Sequence, residues 1–153
     1  MNNNDIIRQL RYTFSFGDDK MIEIFRLAEH KVTRTEVCDW LKKDENPEQL
    51  ELTDEQLAIF LNGFINLKRG KREGPQPAPE KVLTNNAILR KIKIALNLKD
   101  HDLLELLSLV DMRISKHELS AFFRKPSQKQ YRVCHDQILR KLLHGMQLEY
   151  HKD

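Results

Sequence analysis

The stretch TNNAILRKIKIALNL, from Thr84 to Leu98, reads like the beginning of a protein although it lies halfway along the chain. The true beginning, NNNDIIRQLRYTFSF from Asn2 to Phe16, aligns with it when 82 is added to each residue number. The same offset aligns the rest of the two halves without a gap. A repeat of about 80 residues is too long for an ordinary solenoid unit, so the alignment indicates a duplicated small domain.

The residues that are identical at this offset are mostly apolar residues typical of a core and polar residues typical of helix ends. They include the pairs Asn3/Asn85, Asn4/Asn86, Ile6/Ile88, Arg8/Arg90, Asp18/Asp100, Glu23/Glu105, Leu27/Leu109, Glu36/Glu118, Lys43/Lys125, Asp54/Asp136, Leu57/Leu139, Leu61/Leu143 and Gly63/Gly145. Because such positions hold a helical domain together, we expect both copies to have the same fold.

A proline-rich segment separates the copies. The sequence GKREGPQPAPE, residues 70–80, has no large apolar residue for a core, and its prolines and glycines cannot propagate a helix. Spaced prolines favour a semi-stiff extended spacer. We therefore predict a first helical repeat over residues 1–69, a Pro/Gly-rich linker over 70–82 and a second helical repeat over 83–153.

Each copy is predicted to contain four helices, which gives an all-α fold of two tandem four-helix domains with a pseudo-twofold relation. The first helices, at about 4–15 and 86–97, have apolar residues at every fourth position. The third helices begin in capping boxes, TRTE at Thr33–Glu36 and SKHE at Ser115–Glu118. In a capping box, a hydroxyl and a glutamate each bind a backbone N–H that has no partner within the helix.

The other helix starts are less sharply marked in the sequence. Asp18 and Asp100 are predicted to be the N-caps of the second helices, because aspartate is a preferred capping residue. The fourth helix of repeat 2 is predicted to begin near Cys134, or as early as Ser127 through a further capping box, SQKQ.

Two glycines fall inside the predicted fourth helices. A glycine in a helix interior costs about 1 kcal/mol relative to alanine, so Gly63 and Gly145 require an explanation. They are interpreted either as helix stops or as points of close contact between the fourth helices of the two copies.

The composition excludes several classes of protein. Apolar residues at 40% and charged residues at 32% are typical of a folded helical protein rather than a disordered one. No apolar run approaches the roughly 18 residues of a membrane span, and the start lacks the pattern of a secretory signal. Cys38 and Cys134 form no metal or redox motif, so we expect free thiols and a cytoplasmic location.

The small net charge of +3 hides opposite charges on the two halves. Residues 1–67 carry a net charge of −5, whereas residues 82–153 carry +5. We expect the opposite charges to favour docking of the copies, mainly by steering.

Motifs for catalysis or cofactor binding are absent from the sequence. It contains no Gly-rich phosphate loop, no GxSxG and no HExxH. The histidines have no histidine counterparts across the duplication, and His135 and Asp136 are adjacent and so diverge on a helix. We therefore expect no enzyme activity, no cofactor and no metal site.

Four apolar residues on or just after the first helices depart from the buried stripe. We expect them either to widen the buried face or to line a partner groove or the interface between the copies. They form the candidate interaction surface. These residues are Tyr12, Phe16, Ile94 and Leu98.

The second and third helices also resemble a helix-turn-helix, which favours nucleic-acid binding as an alternative function. Repeat 2 has the more suitable charge for contact with phosphate. Its candidate contacts are the basic residues Arg90, Lys91, Lys93, Lys116, Arg124, Lys125, Arg140 and Lys141.

Several motifs together resemble those of the YehS-like bacterial proteins, a family of unknown function. They are the Asn-Asn start, the D-x-x-[LMI]-[LI]-E-[IL]-[FL]-x-L second helix, the [TS]-x-x-E-[VL]-x-x-[WF]-[LF]-x-K third helix and the Pro-rich joint. The resemblance implies a cytoplasmic, duplicated, all-helical protein and supplies no catalytic residues.

The function predicted from the sequence is a non-enzymatic cytoplasmic protein-interaction module, with its binding surface at the cleft between the copies. We expect a protein partner and no membrane partner. Nucleic-acid binding through repeat 2, and a homodimer, remain open alternatives.

Overall fold

A computed structural model describes residues 1–152, and all regular elements over that range are α-helices. Repeat 1 contains the first four helices and repeat 2 the last four, which confirms the predicted all-α duplication. The helices are α1 (Asn3–Phe14), α2 (Asp18–Leu27), α3 (Arg34–Leu41), α4 (Asp54–Arg69), α5 (Asn85–Ala95), α6 (Asp100–Ser108), α7 (Lys116–Ala121) and α8 (Asp136–Tyr150). Within residues 1–152, no helix has the length and apolar character needed to cross a membrane.

The capping boxes predicted for the third helices are present. In α3, Glu36 N donates to Thr33 Oγ1 (3.1 Å) and Thr33 N donates to Glu36 Oε1 (2.9 Å). Ser115 and Glu118 make the same reciprocal pair at the start of α7, at 3.0 and 3.1 Å. The same local chemistry therefore begins the third helix of both repeats.

Predicted starts of other helices were wrong by one or more residues. Asp18 and Asp100 are the first helical residues rather than N-caps, which are Gly17 and Lys99. Each acid therefore lies in the first turn, where its charge interacts favourably with the helix dipole. The early start of α8 at Ser127 is also wrong, because the helix begins at Asp136.

Left-handed backbone conformations recur at equivalent positions of the two repeats. Ser15 and Asn97 follow the first helices with φ of 54° and 53°, and Glu29 and Asp111 follow the second helices with 59° and 58°. Residues with a Cβ adopt this region at an energetic cost. Its recurrence at matching turns shows that the duplication preserves the loops as well as the helices.

A buried asparagine near the start of each first helix holds that helix to the chain that leads into the fourth. Asn4 Nδ2 donates to the carbonyl oxygens of Trp40 and Leu50, both at 2.9 Å, and Leu52 N donates to Asn4 Oδ1 (3.0 Å). Asn86 makes the equivalent three bonds in repeat 2 at 2.9–3.0 Å. Three backbone groups that would otherwise be buried without partners are thereby satisfied.

Gly63 and Gly145 allow the fourth helix to pack against the second helix of its own repeat. A Cβ at Gly63 would overlap the carbonyl oxygen of Ile24, and one at Gly145 would overlap that of Leu106. Both glycines lie within their helices, so neither is a helix stop. The predicted glycine contact between the two fourth helices was also wrong, since the neighbour is the second helix.

The repeats pack against each other reciprocally. Helix α1 of repeat 1 lies on α8 of repeat 2, and the equivalent α5 of repeat 2 lies on α4 of repeat 1. Matching hydrogen bonds cross the boundary: Leu83 N donates to Asp54 Oδ2 (2.9 Å), and Met1 N donates to Asp136 Oδ2 (3.4 Å). Adding 82 converts Met1 into Leu83 and Asp54 into Asp136, so the two hydrogen bonds are equivalent and a pseudo-twofold axis near these four residues relates the repeats.

Candidate binding groove

The four residues of the candidate interaction surface lie in different environments. Tyr12 is 44% exposed and stacks on His151 with ring centroids 4.0 Å apart, so it lies where repeat 1 meets the end of the chain. Phe16 is only 8% exposed and packs in the core, and it therefore belongs to the widened buried face rather than to a surface. Ile94 is 46% exposed. Leu98 is half-buried and does not join the others in a groove.

Leu98 instead borders a small cavity in repeat 2. The cavity has a volume of about 350 Å³ and is lined by acidic as well as apolar side chains, including Glu105 and Glu149. Tyr150 also lines it, and burial raises the pKa of its hydroxyl.

The basic residues proposed as nucleic-acid contacts do not all present free charge. Lys91 Nζ lies 3.0 Å from Glu80 Oε1 and donates to Asn62 Oδ1 at 2.6 Å. Lys93 Nζ lies 2.9 Å from Asp100 Oδ1 and 4.3 Å from the ring centre of Phe123. These two cations are thus engaged within the molecule.

The other six basic candidates do not line the repeat-2 groove described below. Arg90, Lys116, Lys125 and Arg140 are exposed, whereas Arg124 and Lys141 are half-buried.

A spacious groove lies within repeat 2, between α7, the chain that follows it and the start of α8. We call it the repeat-2 groove; its volume is about 700 Å³. Its lining combines apolar, basic and histidine side chains, and consists of His117, Glu118, Ala121, Phe122, Lys129, Gln130, Arg132, Val133, His135 and Ile138. None of these residues belongs to the candidate interaction surface or to the candidate nucleic-acid contacts given above.

The charge of this surface is reversed between the two repeats. With neutral histidines, the ten lining residues carry one carboxylate, Glu118, and two cations, Lys129 and Arg132, for a net charge of +1. The ten equivalent positions of repeat 1 carry four carboxylates and no cation, for a net charge of −4. These positions are Thr35, Glu36, Asp39, Trp40, Pro47, Glu48, Leu50, Glu51, Thr53 and Gln56. Duplication has therefore kept the backbone and reversed the charge.

A network of ion pairs in repeat 1 has lost its acids in repeat 2. Lys42 Nζ lies 2.7 Å from Asp39 Oδ1 and 3.0 Å from Glu48 Oε2, and its hydrogen bonds to Asp39 and then Glu48 raise its pKa. At the equivalent acidic positions repeat 2 has Ala121 and Gln130, both of which line the groove.

The cation itself is retained as Arg124, the equivalent of Lys42. Arg124 Nε is buried and has no hydrogen-bond partner within residues 1–152. A buried donor without a partner carries an energetic cost, but Arg124 does not line the repeat-2 groove and so gives no information on a ligand there.

The one carboxylate in the groove is already used in local structure. Glu118 Oε1 accepts a hydrogen bond from Ser115 N in the capping box of α7. Lys129, Arg132 and the apolar Val133 are exposed, and Val133 is 55% exposed. The groove thus has a basic rim beside apolar side chains, which suits a ligand with both carboxylates and an aliphatic group.

The fold defines a tandem all-helical protein that has a groove in its second repeat. Residues 3–70 and 85–151 each match the family model described as "Protein of unknown function (DUF1456)". The chain therefore belongs to this family, and the resemblance to YehS-like proteins is confirmed. The matched segments also coincide with the two helical repeats.

A sequence relative supports the same assignment over nearly the whole chain. The chain is 36% identical over 152 residues to "Uncharacterized protein YehS" of Escherichia coli (strain K12), covering 99% of this chain and 97% of the relative. No solved structure matches the chain.

Proposed function

We propose that this chain is a non-enzymatic protein-interaction module of the cytoplasm that binds an acidic peptide segment in the repeat-2 groove. The observation that carries the proposal is the change from −4 to +1 at ten equivalent surface positions of two repeats with the same fold. Solvation alone does not explain why repeat 2 has exposed cations beside exposed apolar residues at these positions.

The chemistry of the groove supports a peptide that carries both carboxylates and aliphatic side chains. Lys129 and Arg132 supply the charge that attracts carboxylates, and arginine can bind a carboxylate through two parallel hydrogen bonds. Val133 and Ile138 supply apolar surface for a leucine or valine of the peptide. The free thiols of Cys38 and Cys134 fit a reducing compartment.

Nucleic-acid binding is the alternative function for the basic repeat. A helix that reads the major groove presents side chains to several bases, and α7 has only six residues. Lys91 and Lys93, two of the candidate contacts, are already paired with Glu80 and Asp100. We therefore favour a peptide ligand, and include DNA in the test.

The test is fluorescence anisotropy of a labelled octapeptide that contains four glutamates and one leucine. We expect the full chain to bind this probe, and the Lys129→Glu/Arg132→Glu variant to bind it at least about tenfold more weakly. The matched control is Lys71→Glu/Arg72→Glu, which changes the net charge equally in the exposed linker and is expected to bind like the unchanged protein.

Three results would count against the proposal. One is equal binding of the same peptide with glutamine in place of glutamate, and another is unchanged affinity after reversal of Lys129 and Arg132. The third is tighter binding of a labelled DNA duplex than of the peptide at about 150 mM salt, which would support the nucleic-acid alternative.

A further inference from the structure

The loops between the third and fourth helices carry opposite charges in the two repeats. The acidic loop, residues 44–51, has the sequence DENPEQLE and four carboxylates. The basic loop, residues 126–133, has the sequence PSQKQYRV, with two cations and no carboxylate. Each loop also exposes an aliphatic side chain, since Leu50 is 43% and Val133 is 55% exposed. The two loops are therefore complementary to each other in charge and both present apolar surface.

Both loops lie at the same end of the molecule. Asp54, shortly after the acidic loop, accepts a hydrogen bond from Leu83 N, at the start of repeat 2. Asp136, shortly after the basic loop, accepts one from Met1 N, at the start of repeat 1. Because the start of each repeat reaches the loop end of the other, the two loops flank the pseudo-twofold axis.

We infer that two copies of the chain form a closed dimer in which the acidic loop of each copy lies in the repeat-2 groove of the other. A twofold rotation perpendicular to the pseudo-twofold axis brings the acidic loop of one copy opposite the basic loop of the second. The same rotation makes the reciprocal contact. Since both loops of each copy are then used, the assembly closes at two chains.

The chemistry of the contact follows from the exposed residues. Glu45 and Glu51 face Lys129 and Arg132 across the interface, and Leu50 meets the apolar side chains of the groove. Repeat 2 has Ala121 and Gln130 where repeat 1 has the acids Asp39 and Glu48. In the dimer, carboxylates of the second copy take the place of these two acids.

This inference rests on the proposed function, because it fills the same groove with an acidic segment, and it adds the identity of that segment. The contact consists largely of exposed charges, so we expect the dimer to weaken as salt rises.

Charge reversal of the two loops gives a direct test by sedimentation velocity of the full chain. At about 100 μM protein and about 50 mM salt, we expect the unchanged chain to sediment as a dimer. Glu45→Lys/Glu51→Lys and Lys129→Glu/Arg132→Glu are each expected to be monomers, because like charges then meet in both contacts. An equimolar mixture of the two variants is expected to form a heterodimer, since the opposite charges are restored.

The mixture separates this contact from a general effect of net charge or of misfolding. The linker variant Lys71→Glu/Arg72→Glu is expected to remain a dimer. A monomeric unchanged chain, growth beyond two chains, or variants that stay monomeric when mixed would overturn the inference. In each of those cases, the anisotropy measurement with the acidic octapeptide would still test the proposed function separately.

Discussion

Asn4 and Asn86 are buried, and both the nitrogen and the oxygen of each side-chain amide form hydrogen bonds. Each residue is at most 4% exposed, and each bonds a backbone carbonyl at the end of the third helix. Each also bonds one carbonyl and one backbone N–H of the segment that leads into the fourth helix. Asparagine is suited to this position because its amide donates twice and accepts once or more. These two residues therefore fix the path of the loops that carry opposite charges in the two repeats.

Replacing Asn4 with alanine is expected to lower the free energy of unfolding by about 2–4 kcal/mol, because three buried backbone groups lose their partner. The same change at Asn86 is expected to have a similar effect in repeat 2. Urea unfolding followed by circular dichroism measures both. The control is Gln137→Ala on the exposed face of α8, with an expected change within about 0.5 kcal/mol. A loss below that value at both asparagines would contradict this role.

The two cysteines provide a second prediction at the scale of the residue. Burial raises the pKa of the Cys134 thiol to about 11, and it also raises that of the less buried Cys38. Because the thiolate is the reactive form, a raised pKa slows the reaction at pH 8.

With a disulfide reagent at pH 8, we expect Cys38 of the folded protein to react well before Cys134. In urea, both thiols are expected to react at the same fast rate. Mass spectrometry of the partly labelled chain identifies the modified residue. Faster labelling of Cys134 in the folded protein would show that its environment is more open than the structure indicates.

At the scale of helices, close packing of the second and fourth helices is the feature most sensitive to added volume. Gly63→Ala and Gly145→Ala each place a methyl group against a backbone carbonyl that cannot move like a side-chain tip. We expect each substitution to lower the free energy of unfolding by about 1–3 kcal/mol, although alanine favours helix formation. Thermal unfolding measures the change.

The control for these substitutions is Gly17→Ala, because no atom lies within 4 Å of the added Cβ and the backbone does not require glycine. Its effect is expected to stay within about 1 kcal/mol. Stabilisation by Gly63→Ala would contradict the close helix contact.

The sequence was sufficient to predict the helices and their duplication. Apolar spacing and the capping boxes at Thr33 and Ser115 are local signals, and the structure places both boxes as predicted. The neighbour of Gly63 could not be predicted, because a glycine inside a helix indicates a close contact without identifying the element that makes it. Only the three-dimensional packing places α2 there.

The repeat-2 groove was not predicted, although its signal was present in the sequence. The residues that the repeats share lie mainly in the core and at helix ends. The groove depends instead on residues that differ between the repeats. Examples are Ala121, which aligns with Asp39, and Arg132, which aligns with Leu50. Comparing the loop sequences DENPEQLE and PSQKQYRV for charge would have indicated the surface, but not that it forms a groove.

At the scale of the whole molecule, the linker is not expected to hold the repeats together. The α1–α8 and α4–α5 contacts and the reciprocal bonds of Asp54 and Asp136 join them independently of residues 71–78. The hydrogen bonds that Asp136 accepts from Asn85 and the amino terminus lower its pKa, so its carboxylate stays charged to a lower pH than an ordinary aspartate does.

Cutting the linker at a specific protease site introduced within residues 71–78 is therefore expected to leave the two halves associated. They should elute together from a sizing column at about 150 mM salt, as the uncut chain does. Separate elution of two folded halves would show that the repeats are joined only by the linker.

The central claim is that the repeat-2 groove binds the acidic loop, and amide chemical-shift mapping tests it most directly. Full-length Glu45→Lys/Glu51→Lys protein, labelled with ¹⁵N, is titrated with the peptide DENPEQLE. If the groove binds the acidic loop, the chemical shifts change until the site is saturated, and the changes are concentrated in residues 117–138. Shifts centred elsewhere, such as around Leu98 and Tyr150, or no shifts at millimolar peptide, would contradict it.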